Sequence, residues 1–208
     1  MKDLSGCMQC PRLAEYRVEI RQKYPDYHCA PVAAFGSTGA RLLIVGLAPG
    51  LHGANASGRP FTGDASGDLL FEALHDHGFA SQAHSHHRDD DMRLYDCRIT
   101  NAVKCLPPKN LPRAAETKTC NTFLRREIDE LPAGGVVLTL GGLAHLAVVR
   151  ALGLRAAAYP FAKTAVYDLE GDRKLFSSYH PSRYNLNTGR ISAASFGAVF
   201  GRIREALA

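Results

Sequence analysis

The chain has 208 residues, 46% of them apolar and 22% charged, which suffices for one domain to bury a core and excludes a disordered chain. Twenty-five Lys and Arg against 20 Asp and Glu give a net charge of +5, which permits a polyanionic partner without requiring one. The six cysteines fit three disulfides in a secreted protein, but the segment 1–27 is dense with charge and has no apolar signal core. A reducing compartment is expected, where clustered cysteines serve as metal ligands or as buried thiols.

Taken in chain order, the segment 4–24 opens with Cys7-Met-Gln-Cys10-Pro and continues as a charged helix. A loop over 25–39 precedes Arg41–Leu47, a continuous apolar run with the pattern of a strand buried on both faces. The loop 48–63 is rich in Gly, Pro and Asn, and a helix follows over 65–77 with Leu69, Leu70, Ala73 and Leu74 on one face. Residues 81–91 are polar, hold His84, His86 and His87 with three Asp, and read as a solvated loop. A second strand is expected over 97–103, a Pro-rich loop over 106–112 and a helix over 115–130. The longest uncharged run, 131–149, contains Pro132 and two Gly pairs, so it reads as strand, turn and helix and not as a membrane span. Its strand is 135–140 and its helix 143–152. Strands over 164–169 and 174–179 follow, joined at Gly171-Asp172, then a loop over 180–190 and a last helix over 191–207. The alternation predicts a single α/β domain over 1–208: a three-layer α/β/α sandwich with a central, mostly parallel four-stranded sheet.

In such a fold ligands bind at the carboxyl ends of strands. Three loops rich in polar residues follow strands here. The loop from Gly46 to Asp64 has glycines that bring backbone close to a ligand, but lacks the Gly-Lys-Ser/Thr ending of a phosphate loop and the dinucleotide glycine spacing. Within it Phe61 offers a flat face for stacking or a core contact, while Asp64 and Asp68 read either as helix-capping groups or as a carboxylate at a reaction centre. Asn101 ends the second strand. His180 follows the last strand, with Ser182, Arg183, Tyr184 and Asn185 in a loop suited to phosphates and a displaced base. Among the cysteines, Cys7 and Cys10 form a C-x-x-C pair, and Cys105 and Cys120 flank a Pro-rich segment. Four thiolates suit zinc or a [4Fe–4S] cluster, and spacing alone does not separate the two. Cys29 and Cys97 lack partners at ligand spacing, and Cys97 reads as a core thiol.

Together these motifs resemble the iron–sulfur family 5 of the uracil-DNA glycosylase superfamily over nearly the whole chain. The resemblance rests on Gly46-Leu-Ala-Pro, His52-Gly, Gly58-Arg-Pro-Phe-Thr-Gly-Asp64, Ile99-Thr-Asn-Ala-Val-Lys-Cys105-Leu-Pro-Pro and His180-Pro-Ser with Asn-Thr-Gly-Arg190 behind it. Leu47, where family 4 carries an acidic residue, favours family 5; Arg183-Tyr-Asn-Leu departs from the commoner Gln/Asn-rich loop. The resemblance implies a monofunctional glycosylase, acting on single- or double-stranded DNA, that flips out and excises uracil and other deaminated bases such as hypoxanthine and xanthine. Phe61 would stack on the base, Asn101 would bond its edge, and Gly46, Ala48, Pro49, Gly50 and His52 would line the reaction centre. His180 would stabilise the leaving base, Asp64 (ahead of Asp68) would act on water or the sugar, and Ser182, Arg183, Tyr184 and Asn185 would contact DNA. Cys7, Cys10, Cys105 and Cys120 would hold a [4Fe–4S] cluster in a structural role. Lys104, Lys109, Arg113 and Lys118 lie on or near the loop it would tie down and read either as phosphate contacts or as an ordinary solvated surface. A cytoplasmic, nucleoid-associated prokaryotic monomer without membrane contact is expected. The rival readings are a non-catalytic nucleic-acid-binding module stabilised by a four-cysteine metal, and a small-molecule nucleotide hydrolase, which the missing phosphate-binding lysine motif disfavours.

Overall fold

A computed structural model describes residues 4–208. Four apolar runs form the centre of its sheet: β2 (Leu42–Gly46), β3 (Cys97–Asn101), β4 (Val136–Leu140) and β6 (Lys174–Ser178). Two edge strands, β1 (Phe35–Gly36) and β5 (Val166–Asp168), complete the order β1-β3-β2-β4-β6-β5. The inner four are parallel and both edges are antiparallel. The α/β class holds, but the sheet has six strands and not the expected four. The physical reason lies at the edges. β5 lies within the expected strand 164–169, while β1, in the expected loop 25–39, is two residues long and too short to carry any period. Its Gly36 lies at a φ of +107°, where a Cβ would stand 2.3 Å from the Cys97 carbonyl oxygen.

Every residue of β2 and β4 is buried, as strands covered on both faces require. Side chains alternate between the two faces. Leu42 and Ile44 pack under α3 (Ala65–Asp76) and α7 (Ala193–Leu207) with Leu70, Phe71, Phe196 and Phe200. Leu43 and Val45 face α4 (Ala114–Asp129) and α5 (Gly142–Ala151) with Leu124, Ile128 and Val148. The result is the expected three layers. α1 (Pro11–Lys23) starts behind Cys10 with Pro11 at its first turn and packs through Leu13 on a smaller cluster with Val103, Cys120 and Phe123. Two one-turn helices, α2 (Ala54–Ser57) and α6 (Arg183–Asn187), stand where loops were expected, because one turn gives no readable apolar period. No helix of the described residues is long and apolar enough to cross a membrane.

Parallel register carries the strand ends to one edge. Gly46 pairs with Asn101, and Leu140 with Ser178. β2 connects outward to β3 on one side while β4 and β6 lie on the other, so the topology switches direction beside β2, where open α/β sheets form their binding crevice.

Leu70, fully buried between α3 and the sheet, reports on this core. Leu70→Ala is expected to destabilise the protein by about 3 kcal/mol in urea unfolding, with an unchanged denaturant slope.

Candidate active site

The crevice at that switch point is a cleft of about 450 Å3. Its walls come from the ends of all four parallel strands: Leu47, Ala48 and Gly50 after β2, Asn101 from β3, Gly141 and Gly142 after β4, and His180 and Ser182 after β6. Phe61 and Asp64 close the remaining side. Gly46 sits directly behind the wall, where a Cβ would fall 2.4 Å from the Asn101 Oδ1 and 2.8 Å from the Phe61 ring, so only glycine lets these two side chains meet there.

Asp64 divides its two oxygens. Oδ1 caps α3, accepting from the Ser66 and Gly67 N–H groups at 3.0 and 3.1 Å. Oδ2 has no donor among the described residues and lies against Gly53, where a Cβ would come within 2.1 Å of it. The capping and reactive readings therefore describe two atoms of one carboxylate. Asp68, one turn on, is exposed and off the cleft wall. The His180 ring stacks on Phe61 at 5.7 Å between centroids with 29° between planes. Burial lowers its pKa below the ordinary histidine value, opposed in part by the charge of Asp64, so the imidazole is neutral near pH 7. Asn101 is buried and, among the described residues, its side-chain amide has no protein partner, so it presents a donor and an acceptor to the cleft. A stacking face, an amide, a neutral imidazole and a free carboxylate oxygen thus surround one space.

Residues 33–204 match the family model of the Uracil DNA glycosylase superfamily. A type-5 uracil-DNA glycosylase from Thermus thermophilus is 43% identical over 94% of this chain and 91% of its own length. One from Pyrobaculum aerophilum is 41% identical over 96% and 88%, and a type-4 uracil-DNA glycosylase from Archaeoglobus fulgidus 31% identical over 88% and 79%. The chain belongs to the uracil DNA glycosylase superfamily. Its greater identity to type-5 than to type-4 members accords with Leu47 in place of an acidic residue.

In this superfamily member the remaining expected site residues divide. Pro49 is buried and off the cleft wall. His52 is exposed and turns outward, its Nδ1 2.9 Å from the Tyr27 hydroxyl and its ring edge-on to Tyr24 and Tyr27. Arg183 and Tyr184 are exposed on α6 at the cleft's lip, and the Arg190 guanidinium lies 5.3 Å over the Tyr184 ring. Asn185 is buried and donates through Nδ2 to the His180 carbonyl at 2.9 Å, fixing the loop from within. Sequence reasoning missed Gly141 to Ala144 and Asn110 on the cleft wall. The Gly pair after a buried strand was the available signal for the first; Asn110, at a φ of +56°, gave none.

The four cysteines of the N-terminal lobe also meet. Cys7, Cys10, Cys105 and Cys120 ring a small cavity of about 20 Å3 walled by Leu13, Val103 and Phe123. α1 is fastened there by Arg12, whose Nε and Nη2 donate to the Glu116 carboxylate of α4 at 2.7 Å each. Two sulfurs already accept hydrogen bonds, Cys7 from the Gln9 amide at 3.5 Å and Cys120 from the Lys104 N–H at 3.3 Å. Burial pushes the Cys105 thiol up to about 12 and that of Cys120 up to about 11. Among the described residues no three His, Cys, Asp or Glu side chains stand close enough to hold a single metal ion. Cys97 is a buried core thiol in β3, and Cys29 is buried with the Asn55 amide 3.6 Å from its sulfur.

Lys104 corrects an expectation. It does not face phosphates: it is 1% exposed, with Nζ 2.7 Å from the Glu127 carboxylate and bonded to the Thr100 hydroxyl. Lys109, Arg113 and Lys118 are exposed. Removing one partner of a buried ion pair strands the other charge. Glu127→Gln is therefore expected to lower stability by about 3 kcal/mol in chemical unfolding, and Lys104→Met with Glu127→Leu to recover most of it.

Proposed function

We propose that this chain is a monofunctional DNA glycosylase that hydrolyses the N-glycosidic bond of uracil, and of other deaminated bases such as hypoxanthine and xanthine, in DNA. The observation that carries the reading is the convergence of Phe61, Asp64, Asn101 and His180 on one cleft in a chain 43% identical to a type-5 uracil-DNA glycosylase. A base inside a duplex is out of reach of such a cleft, so the nucleotide leaves the stack first, at a cost of a few kcal/mol. Arg183 and Tyr184 on the lip meet the backbone and the gap it leaves. The base slides over Phe61 and bonds the Asn101 amide through its edge. As the bond from C1′ to the base breaks, the sugar becomes cationic and the base anionic. The Asp64 Oδ2 stabilises the sugar and orients water toward C1′. The His180 imidazole, neutral because of its burial, donates its N–H to the anionic base. Water's hydroxyl ends on C1′ and its proton on the departing base. The broader base range is read by comparing release from uracil, hypoxanthine and xanthine.

Release of base from an oligonucleotide with one uracil, read by strand scission at the abasic product, tests the reading; no release from uracil, hypoxanthine or xanthine overturns it. His180→Ala is expected to slow release by about a hundredfold or more while binding of lesion DNA persists. The pH profile carries the same signature. Activity requires the neutral imidazole, and burial lowers the pKa, so the rate stays flat through neutrality and its acid limb lies below the ordinary histidine value of 6.5.

The four cysteines are proposed to hold a [4Fe–4S] cluster. Two N–H···S bonds and apolar walls around four converging sulfurs suit an iron–sulfur cluster held by thiolates. When bound, it supplies a rigid crosslink between the start of α1, the segment after β3 and α4. Purified protein is expected to be brown with about four irons per chain, and Cys120→Ser to lose the colour and destabilise the lobe. A colourless protein with stoichiometric zinc would refute the assignment.

A further inference from the structure

The His- and Asp-rich segment 81–91 is a largely exposed loop, as expected, but it is anchored from within. It closes around one buried guanidinium, that of Arg59, which is 7% exposed. Arg59 Nε donates to the Thr62 hydroxyl at 2.9 Å and Nη1 to the Arg88 carbonyl at 3.0 Å. Nη2 donates to the Ser85 hydroxyl at 2.7 Å, to the His87 carbonyl at 2.6 Å and to the Asp90 carboxylate. Asp90 in turn gathers the loop, accepting from the His86 and Met92 N–H groups at 2.9 and 3.2 Å. Past Phe61 the same loop is bonded again: the Thr62 and Ser85 hydroxyls are 2.7 Å apart, and the Gly63 N–H donates to the Ser85 carbonyl at 3.1 Å.

Phe61 is therefore pinned on both sides, and it needs to be. Its φ of +56° is a left-handed conformation that an aromatic residue keeps only where its surroundings impose it. That conformation turns the ring under the cleft against Gly46 and His180 and sets its carbonyl on the first turn of α3, where a Cβ on Gly67 would stand 1.8 Å away. Asp64 follows three residues later, with the geometry of its carboxylate inherited from the same turn.

We propose that Arg59 is a positioning residue for base excision, acting through the Phe61–Asp64 segment by clamping the 81–91 loop against it. The proposal rests on the reading of Phe61 and Asp64 as site residues. It requires the fork of the guanidinium and not merely its charge, since the acceptors lie in several directions around one plane.

The test uses Arg59→Lys, Phe61→Ala and their combination, with single-turnover release from uracil DNA at saturating enzyme. Wild-type release in the same assay checks the glycosylase reading independently. Arg59→Lys is expected to slow the rate per folded molecule by about a hundredfold, the scale of a catalytic group displaced by about 1 Å. Because Arg59 acts through the segment that holds Phe61, the double variant is expected to lose clearly less rate than the product of the two single losses. A readout independent of turnover is the His180 imidazole titration by NMR, which should rise toward the ordinary histidine value in Arg59→Lys as Phe61 uncovers the ring. Ser85→Ala, which removes one hydroxyl from the loop side of the clamp, serves if Arg59→Lys does not fold; a smaller loss of rate per folded molecule in the same direction is expected. A wild-type rate per folded molecule in the variant that folds, or full additivity with Phe61→Ala, would overturn the proposal.

Discussion

Parallel pairing along β2 sets the geometry on which the cleft depends. Its hydrogen bonds hold Gly46 level with Asn101 on one side, while the ladder through β4 and β6 brings Leu140 level with Ser178. A slip of one residue in any of these ladders would turn a side chain from one face of the sheet to the other. The burial of β2 and β4 on both faces forbids that slip, because it would exchange side chains fitted to two different helical layers. Pairing continues beyond the strands, with the Ala102 and Val103 N–H groups donating to the Gly46 and Leu47 carbonyls at 2.9 Å each. The amide of Asn101 is thus placed by backbone, and glycine at 46 leaves the space it occupies.

The same constraint explains what the sequence makes legible. A strand covered on both faces must be apolar throughout, so the four inner strands stand out as runs, and their ends identify Asn101 and His180 as residues at the mouth of a crevice. The edge strands have no such requirement. β1 is formed by two residues whose only distinguishing mark is the glycine that fits over Cys97. The one-turn helices α2 and α6 are equally silent. At the site, residue type announces side chains but not directions. His52 and Asp64 belong to one glycine-rich loop, yet Tyr27 draws His52 outward while the capping of α3 turns Asp64 inward. Asn110 reaches the wall through a left-handed backbone that its sequence context does not signal.

Charge was the least informative sequence feature. Lys104 sits among cations near a strand end, but it satisfies Glu127 inside the protein. Arg59 lies in a glycine-rich loop, yet its guanidinium bonds across to the polar segment 81–91. A guanidinium can be buried where several acceptors meet its fork, and backbone carbonyls supply two of them here, invisible to any reading of side chains.

The cysteine lobe and the cleft are parts of one mechanical unit because they share the exit of β3. Asn101 faces the cleft, and only four residues later Cys105 joins the ring of thiols. Between them Val103 walls the thiol cavity, the Lys104 N–H bonds the Cys120 sulfur, and the Lys104 carbonyl accepts from Val32 at 2.7 Å. The segment that leaves the cleft is thus bonded on both sides before it reaches the next loop, which itself returns to the cleft through Asn110. Arg12 holds that return, donating to Glu116 at the start of α4, and Glu116 accepts from the Arg113 N–H at 2.6 Å. Burial raises the Glu116 pKa, but Arg12 and the Arg113 N–H outweigh it and hold the carboxylate charged. The cysteine lobe therefore braces two sides of the cleft, the strand end that carries the Asn101 amide and the loop that carries Asn110.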